Sequence, residues 1–146
     1  MADRSREASL WAWLKPNPGM LLGDYHDVIR IENCVAVGTA DVEGCIGGGT
    51  FWCELKVARV LKCGDAWVDI TPAQVRRALR RTRAGGRHWV LIRYEGEGKR
   101  RHYLVDGAAS EALLERRLTV TELDALNKID PYASASTILT TMAGKV

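Results

Sequence analysis

GTADVEGCIGGGTFWCELKV, residues 38–57, is the stretch that decides how the chain folds. Gly47-Gly48-Gly49 is a strong turn signal between two strand-like runs. Gly38-Thr39-Ala40 reads as a break, after which Asp41 stands at the start of the first run. The second run covers residues 50–58. Strand side chains alternate, so Glu54 and Lys56 share one face, while Cys53, Leu55 and Val57 take the other and suit a core. A hairpin folded at the glycines would carry Asp41 towards Glu54. Two carboxylates held close repel and need a partner of opposite charge. A divalent cation is such a partner, and it can acidify a water and stabilise charge on a phosphoryl oxygen. Lys56, on the same face, would orient that water or stabilise the developing charge. Taken alone, Glu-x-Lys is an ordinary charge pattern on a surface hairpin. Here it interrupts an otherwise apolar strand (Phe51, Trp52, Leu55, Val57), has an Asp upstream, and is followed by a basic helix.

On the N-terminal side, residues 5–15 read as a short amphipathic helix, with Ala8, Trp11 and Leu14 three apart. Pro16, Pro18 and Gly19 stop it. Residues 27–37 suit a strand. On the C-terminal side, Thr71 caps a helix that opens at Pro72 and ends at Gly85-Gly86, with Val75, Ala78, Leu79 and Thr82 facing inward. Residues 88–94 and 102–106 read as paired strands across a charged turn. Helical stretches follow near 109–117 and 121–128. The fold class expected is α/β, a mixed sheet flanked by helices in the order αβββαβ with further C-terminal helices. Residues 1–130 form one domain in this reading, and 131–146 a tail that is loosely ordered or contacts a second copy.

The chain has 146 residues, 21 Lys and Arg, 18 Asp and Glu, and a net charge of +3. Its length suits one ordinary domain, and no apolar run approaches a membrane span. The first residues lack a signal-peptide core, so a cytoplasmic location is expected. The charge is unevenly spread. Residues 1–71 carry a net −3, residues 72–101 a net +8 and residues 102–146 a net −2. A basic block of this kind usually faces a polyanion, the alternative being a solvated helix face. Cys34, Cys45, Cys53 and Cys63 lack metal-ligand spacing and read as reduced thiols. The tryptophans suit a core or a dimer interface, with base stacking by Trp13 or Trp67 the alternative. His26, His88 and His102 read as structural.

Asp41, a short hairpin and Glu54-Leu55-Lys56 together resemble the PD-(D/E)XK nuclease superfamily, in particular its small phage and archaeal branch of Holliday-junction resolvases and VRR-NUC-type nucleases. In that branch a helix bearing a Gln follows, and Ile70-Thr71-Pro72-Ala73-Gln74 matches it. Trp89-Val90-Leu91-Ile92-Arg93 resembles the next strand, so the likeness spans about residues 5–106. One departure is Ala40, where the family often has Pro. The resemblance implies a restriction-endonuclease-like core with Asp41, Glu54, Lys56 and Gln74 catalytic. It implies Mg²⁺ or Mn²⁺ on Asp41, Glu54 and the backbone carbonyl of Leu55. Many members add a Glu from the first helix, and Glu7 is the candidate here, against a solvated acid favoured by the helix dipole. Glu32 and Glu43 are weaker candidates.

Gln74, Arg77 and Arg81 fall on one helix face, and Arg76, Arg80, Arg83 and Arg87 along another side. Lys99, Arg100 and Arg101 add a second cluster. These residues are the expected DNA contacts, made to phosphates and not to base edges. The reading is a metal-dependent endonuclease acting on DNA phosphodiesters. The resemblance implies a structure-selective enzyme for branched DNA such as a Holliday junction, and a homodimer, because two nicks across a junction call for two sites related by symmetry. The resemblance also implies a phage source, which would make the location the cytoplasm of a host cell. The alternatives are a non-catalytic DNA-binding module on the same fold, or a nuclease for a flap, nick or duplex end.

Overall fold

The structure is a computed structural model, and it describes residues 4–31, 38–115 and 117–145. Helix α1 (Arg4–Leu14) leads into strand β1 (His26–Arg30), followed by β2 (Val42–Ile46) and β3 (Gly49–Val57). Two short strands, β4 (Arg59–Val60) and β5 (Ala66–Trp67), precede helix α2 (Pro72–Arg83). Strands β6 (His88–Gly96) and β7 (Lys99–Asp106) come next, then a 3₁₀ helix (Gly107–Glu115), β8 (Arg117–Leu118), α3 (Val120–Leu126) and α4 (Ala135–Met142). The main sheet has five strands in the order β1-β2-β3-β6-β7. It is mixed: β3 and β6 run parallel, and the other neighbours are antiparallel. This is the α/β arrangement expected from the sequence. A small sheet of β4, β5 and β8, not anticipated, lies beside it.

The β2–β3 turn forms as the glycines demand. Ile46 pairs with Gly49, and the two residues between them, Gly47 and Gly48, both have positive φ (54° and 85°). That is the backbone of a tight hairpin whose twist matches its strands, and side-chain-bearing residues adopt it reluctantly. Helix α2 begins at Pro72 after a Thr71 cap. The Thr71 hydroxyl accepts from Gln74 N (3.2 Å), and Thr71 N donates to Gln74 Oε1 (2.9 Å), so two otherwise unpaired donors are satisfied.

Two apolar layers sandwich the sheet. On one face Leu10 and Leu14 of α1 and Ile138, Leu139 and Met142 of α4 pack with Phe51, Cys53, Leu55, Leu91 and Leu104. On the other, Val75, Leu113 and Leu123 pack with Val90, Ile92, Tyr103 and Val105.

The chain after residue 130 corrects one expectation. It is not a loosely held tail: Ser134 caps α4, and Ala135, Ile138, Leu139 and Met142 are all buried. Their i, i+3, i+4, i+7 spacing is the stripe of a core helix, hidden in the sequence among Ser and Thr. The stretch expected as helix near 109–117 is the tighter 3₁₀ helix. Strand β1 covers the first part of the run expected at 27–37, and Glu32 and Cys34 lie outside the described residues. The other three cysteines are free thiols. No helix among the described residues is long and apolar enough to cross a membrane.

Candidate metal and nucleic-acid site

The site forms where β2 and β3 part. Their ladder runs from Ile46–Gly49 to Val42–Cys53. One residue before β2 stands Asp41, and its Oδ2 accepts from the Leu55 backbone N–H at 2.8 Å. The side chain therefore takes a donor that a longer β2 would have used. That bond fixes the Asp41 carboxylate beside Glu54-Leu55-Lys56.

Glu54 and Lys56 point to the α2 side of the sheet, opposite the core face occupied by Cys53 and Leu55. Both are buried, at 2% and 5% exposure. Charged side chains are seldom so buried without a partner. Glu54 Oε1 accepts from Gln74 Nε2 at 2.7 Å. Gln74 thus serves the helix cap through its oxygen and Glu54 through its nitrogen. Glu54 Oε2 is buried and has no hydrogen-bond donor. Burial, and then repulsion from Asp41, push the Glu54 carboxyl far up, to about 10, against a smaller pull from Lys56. In the absence of a cation the site keeps a proton on Glu54 at neutral pH.

These features fit a hard divalent cation. The donors are oxygens, and two carboxylates lie together, close enough for Asp41 to accept the Glu54 proton. Glu54 Oε2 is buried with no donor from the rest of the protein. Among the described residues no three His, Cys, Asp or Glu side chains converge as a ready-made cage. Mg²⁺ does not require one, since it keeps several waters and is commonly held by one or two carboxylates. Mn²⁺ takes the same oxygen ligands.

Glu7, on α1, is half-buried at the margin of this site. Burial raises its pKa, Lys56 lowers it, and Asp41 raises it. It lies within electrostatic range of the centre. Arg30 and Asp69 act on it more weakly, and neither is among the residues the sequence points to. Asp69 had one available signal: it stands two residues before the Thr71 cap, on the segment that delivers Gln74. Glu43 is exposed on β2, opposite Trp52.

The chain is similar to the Holliday junction resolvase Hjc of Archaeoglobus fulgidus, an archaeal hyperthermophile. The two are 14% identical, the match covers 84% of this chain and 94% of that one, and the TM-score is 0.39. No family model and no curated protein matches the sequence.

The expected DNA-contacting residues fall into distinct groups. Arg77 and Arg81 are half-buried on the Gln74 flank of α2, whereas Arg76, Arg80 and Arg83 are exposed. Arg81 lies over the Trp52 ring, 3.9 Å from its centroid. Arg87 is exposed and packs beside Gly144, just beyond α4. Lys99, Arg100 and Arg101 sit at the turn end of β7, the outer strand, and not on α2. There Arg100 meets Glu95 (3.4 Å), and Arg101 meets Glu97 (3.7 Å) and the Tyr132 hydroxyl (3.2 Å). The basic cluster at this turn is thus partly neutralised by its own acids, although exposed pairs of this kind are weak.

The tryptophans are half-buried. Trp13 stacks on His102, with centroids 4.1 Å apart and planes within 5°. Trp89 donates to Met142 O (3.1 Å). Trp67 lies beneath Arg59. His88 and His102 are buried, and burial, followed by nearby arginines, pushes each pKa down to about 4. Arg93 donates from Nε to His102 Nε2 (3.1 Å) and is itself buried.

Proposed function

We propose that the chain is a divalent-metal-dependent endonuclease that hydrolyses DNA phosphodiesters, is selective for branched DNA such as a Holliday junction, and works as a homodimer. The observation that carries this reading is the facing pair Asp41 and Glu54, one fixed by a backbone N–H and the other buried with an oxygen to spare. Their order along the chain and the Glu54-Leu55-Lys56 strand resemble the PD-(D/E)XK pattern, in which a metal sits at that pair.

The residues divide the work. Leu55 N–H and Gln74 Nε2 hold the two carboxylates in register before any substrate arrives. Glu54 Oε2 and Asp41, with the Leu55 carbonyl and Glu7 in support, would hold Mg²⁺ or Mn²⁺. Such a cation supplies charge neutralisation at the phosphoryl oxygens and acidifies a water. Lys56 brings a fixed positive charge and three donors to the same face, suited to orienting the attacking water or stabilising charge on the phosphate. Excluding bulk water strengthens each of these interactions. A DNA-binding module without catalysis would need the arginines of α2 and would have no use for a buried Glu54 facing Asp41.

The test is purified protein with Mg²⁺ and a panel of junction, flap, nicked and duplex DNA. Cleavage is expected on branched substrates and lost in Asp41→Asn, Glu54→Gln and Lys56→Ala. Cleavage that these changes leave intact would refute the site. Equal cleavage of junction and plain duplex would refute the selectivity.

A further inference from the structure

Beyond the carboxylate pair, α2 carries a second concentration of charge without a counter-ion. Arg77 and Arg81 lie on the helix flank shared with Gln74. Among the described residues neither forms an ion pair with a carboxylate. Glu43 acts on Arg81 from beyond ion-pair distance. Arg77 Nε is buried with no hydrogen-bond partner, and so is Nδ1 of His88, which both arginines influence. Burial and the neighbouring Arg77 lower the Arg81 pKa, which marks two cations crowded together. Arg81 is held by its stack on Trp52, and Trp52 pairs with His88 between β3 and β6. Stacking occupies the face of a guanidinium and leaves its N–H edge in the plane, the edge that binds phosphate as a fork. Here two crowded cations lack an anion.

We infer that Arg77 and Arg81, backed by Trp52 and His88, form a subsite for one backbone phosphodiester of the bound strand, separate from the phosphodiester attacked at Asp41 and Glu54. This rests on the nucleic-acid reading above and adds where the strand runs. Arg81 is seven residues beyond Gln74, about 10 Å along the helix axis. A strand rising about 3.4 Å per nucleotide reaches that point within about three nucleotides. Arg76 and Arg80 line one surface depression with Arg77, but they and Arg83 are exposed and contribute only diffuse attraction.

Binding of a labelled junction and a labelled single strand, in EDTA and between about 50 and 200 mM salt, tests this without requiring cleavage. Arg77→Gln and Arg81→Gln are each expected to weaken binding about tenfold or more. Each should also lower the slope of log affinity against log salt by about one. Arg81→Lys, with little risk to the fold, should keep most of the slope and lose part of the affinity, because the stacked fork is gone. Lys128→Gln, exposed and outside both sites, is the control. Equal losses in Arg76→Gln, Arg80→Gln and Arg83→Gln would overturn the subsite in favour of diffuse charge, and so would unchanged binding in Arg77→Gln and Arg81→Gln. If these binding losses appear while no substrate is cleaved, the subsite stands and the catalytic reading falls.

Discussion

Gln74 joins the cap of α2 to the buried Glu54, and removing it separates the two roles. In Gln74→Ala the Glu54 Oε1 loses its donor, a 2.7 Å bond in a buried setting. An unsatisfied buried oxygen costs about 1–3 kcal/mol. The reciprocal cap bond to Thr71 N (2.9 Å) is lost as well, for about 0.5–1 kcal/mol. The expected loss is about 2–3 kcal/mol, or about 6–10 °C in Tm for a domain of this size. Thr71→Ala removes the hydroxyl cap and leaves the Glu54 bond, so it should cost only about 1 kcal/mol. A double-mutant cycle between Gln74→Ala and Glu54→Ala should return a coupling of about 1–2 kcal/mol. Urea unfolding in EDTA measures all of these. In the active protein, Gln74→Ala should raise the metal concentration for half-maximal cleavage about 10- to 100-fold, as loss of a ligand-orienting bond does elsewhere. A Gln74→Ala variant no less stable than Thr71→Ala, with coupling near zero, would refute the claim that Gln74 organises the site.

Three further outcomes follow from the packing. His88 and His102 are neutral in the fold with pKa values near 4, below the 6.5 of an exposed imidazole. They therefore stabilise the protein above about pH 6.5, and this contribution is lost as pH falls towards 4. The stability difference between wild type and His102→Asn should shrink by about 1–2 kcal/mol from pH 7 to 4.5, and a difference independent of pH would contradict it. Gly49→Ala would place a methyl on the carbonyl oxygen of Ala143. It should cost at least about 1–3 kcal/mol as α4 is pushed off the hairpin, and an unchanged Tm would show the contact to be soft. Ending the chain after Ala133 removes Ile138, Leu139 and Met142, all fully buried. At about 2–5 kcal/mol each, this exceeds the margin of most domains, so the shortened chain should give a collapsed, poorly dispersed NMR spectrum. A native-like spectrum would show α4 to be dispensable.

The parts of this molecule that were legible in its sequence are those set by local chemistry. Gly47-Gly48 dictates a tight hairpin because both residues need positive φ. Thr71-Pro72 with Gln74 dictates a helix start because the cap bonds lie within four residues. The alternation through Cys53, Glu54, Leu55 and Lys56 sets which side chains face the core. Less legible was whatever depends on partners far along the chain. Helix α4 looked like a polar tail because its stripe alternates with Ser and Thr, and only the sheet face opposite gives that stripe a function. Arg93 and His102 looked like ordinary charged and polar strand positions, yet they are buried beneath Trp13 from the other end of the domain. The two halves of the basic block could not be ranked by composition. The helix flank shared with Gln74 separates Arg77 and Arg81 from their exposed neighbours, and the acids Glu95 and Glu97 already occupy Arg100 and Arg101.

Asp41 and Glu54 together are expected to hold a divalent cation. Titration of DNA-free protein with Mn²⁺ near neutral pH, followed by calorimetry and electron paramagnetic resonance, addresses it without any assumption about substrate. Saturable binding of Mn²⁺ to the wild type is expected, abolished in Asp41→Asn and in Glu54→Gln and retained in Lys56→Ala. Wild-type protein that binds no Mn²⁺, or binding that survives the loss of both carboxylates, would contradict it.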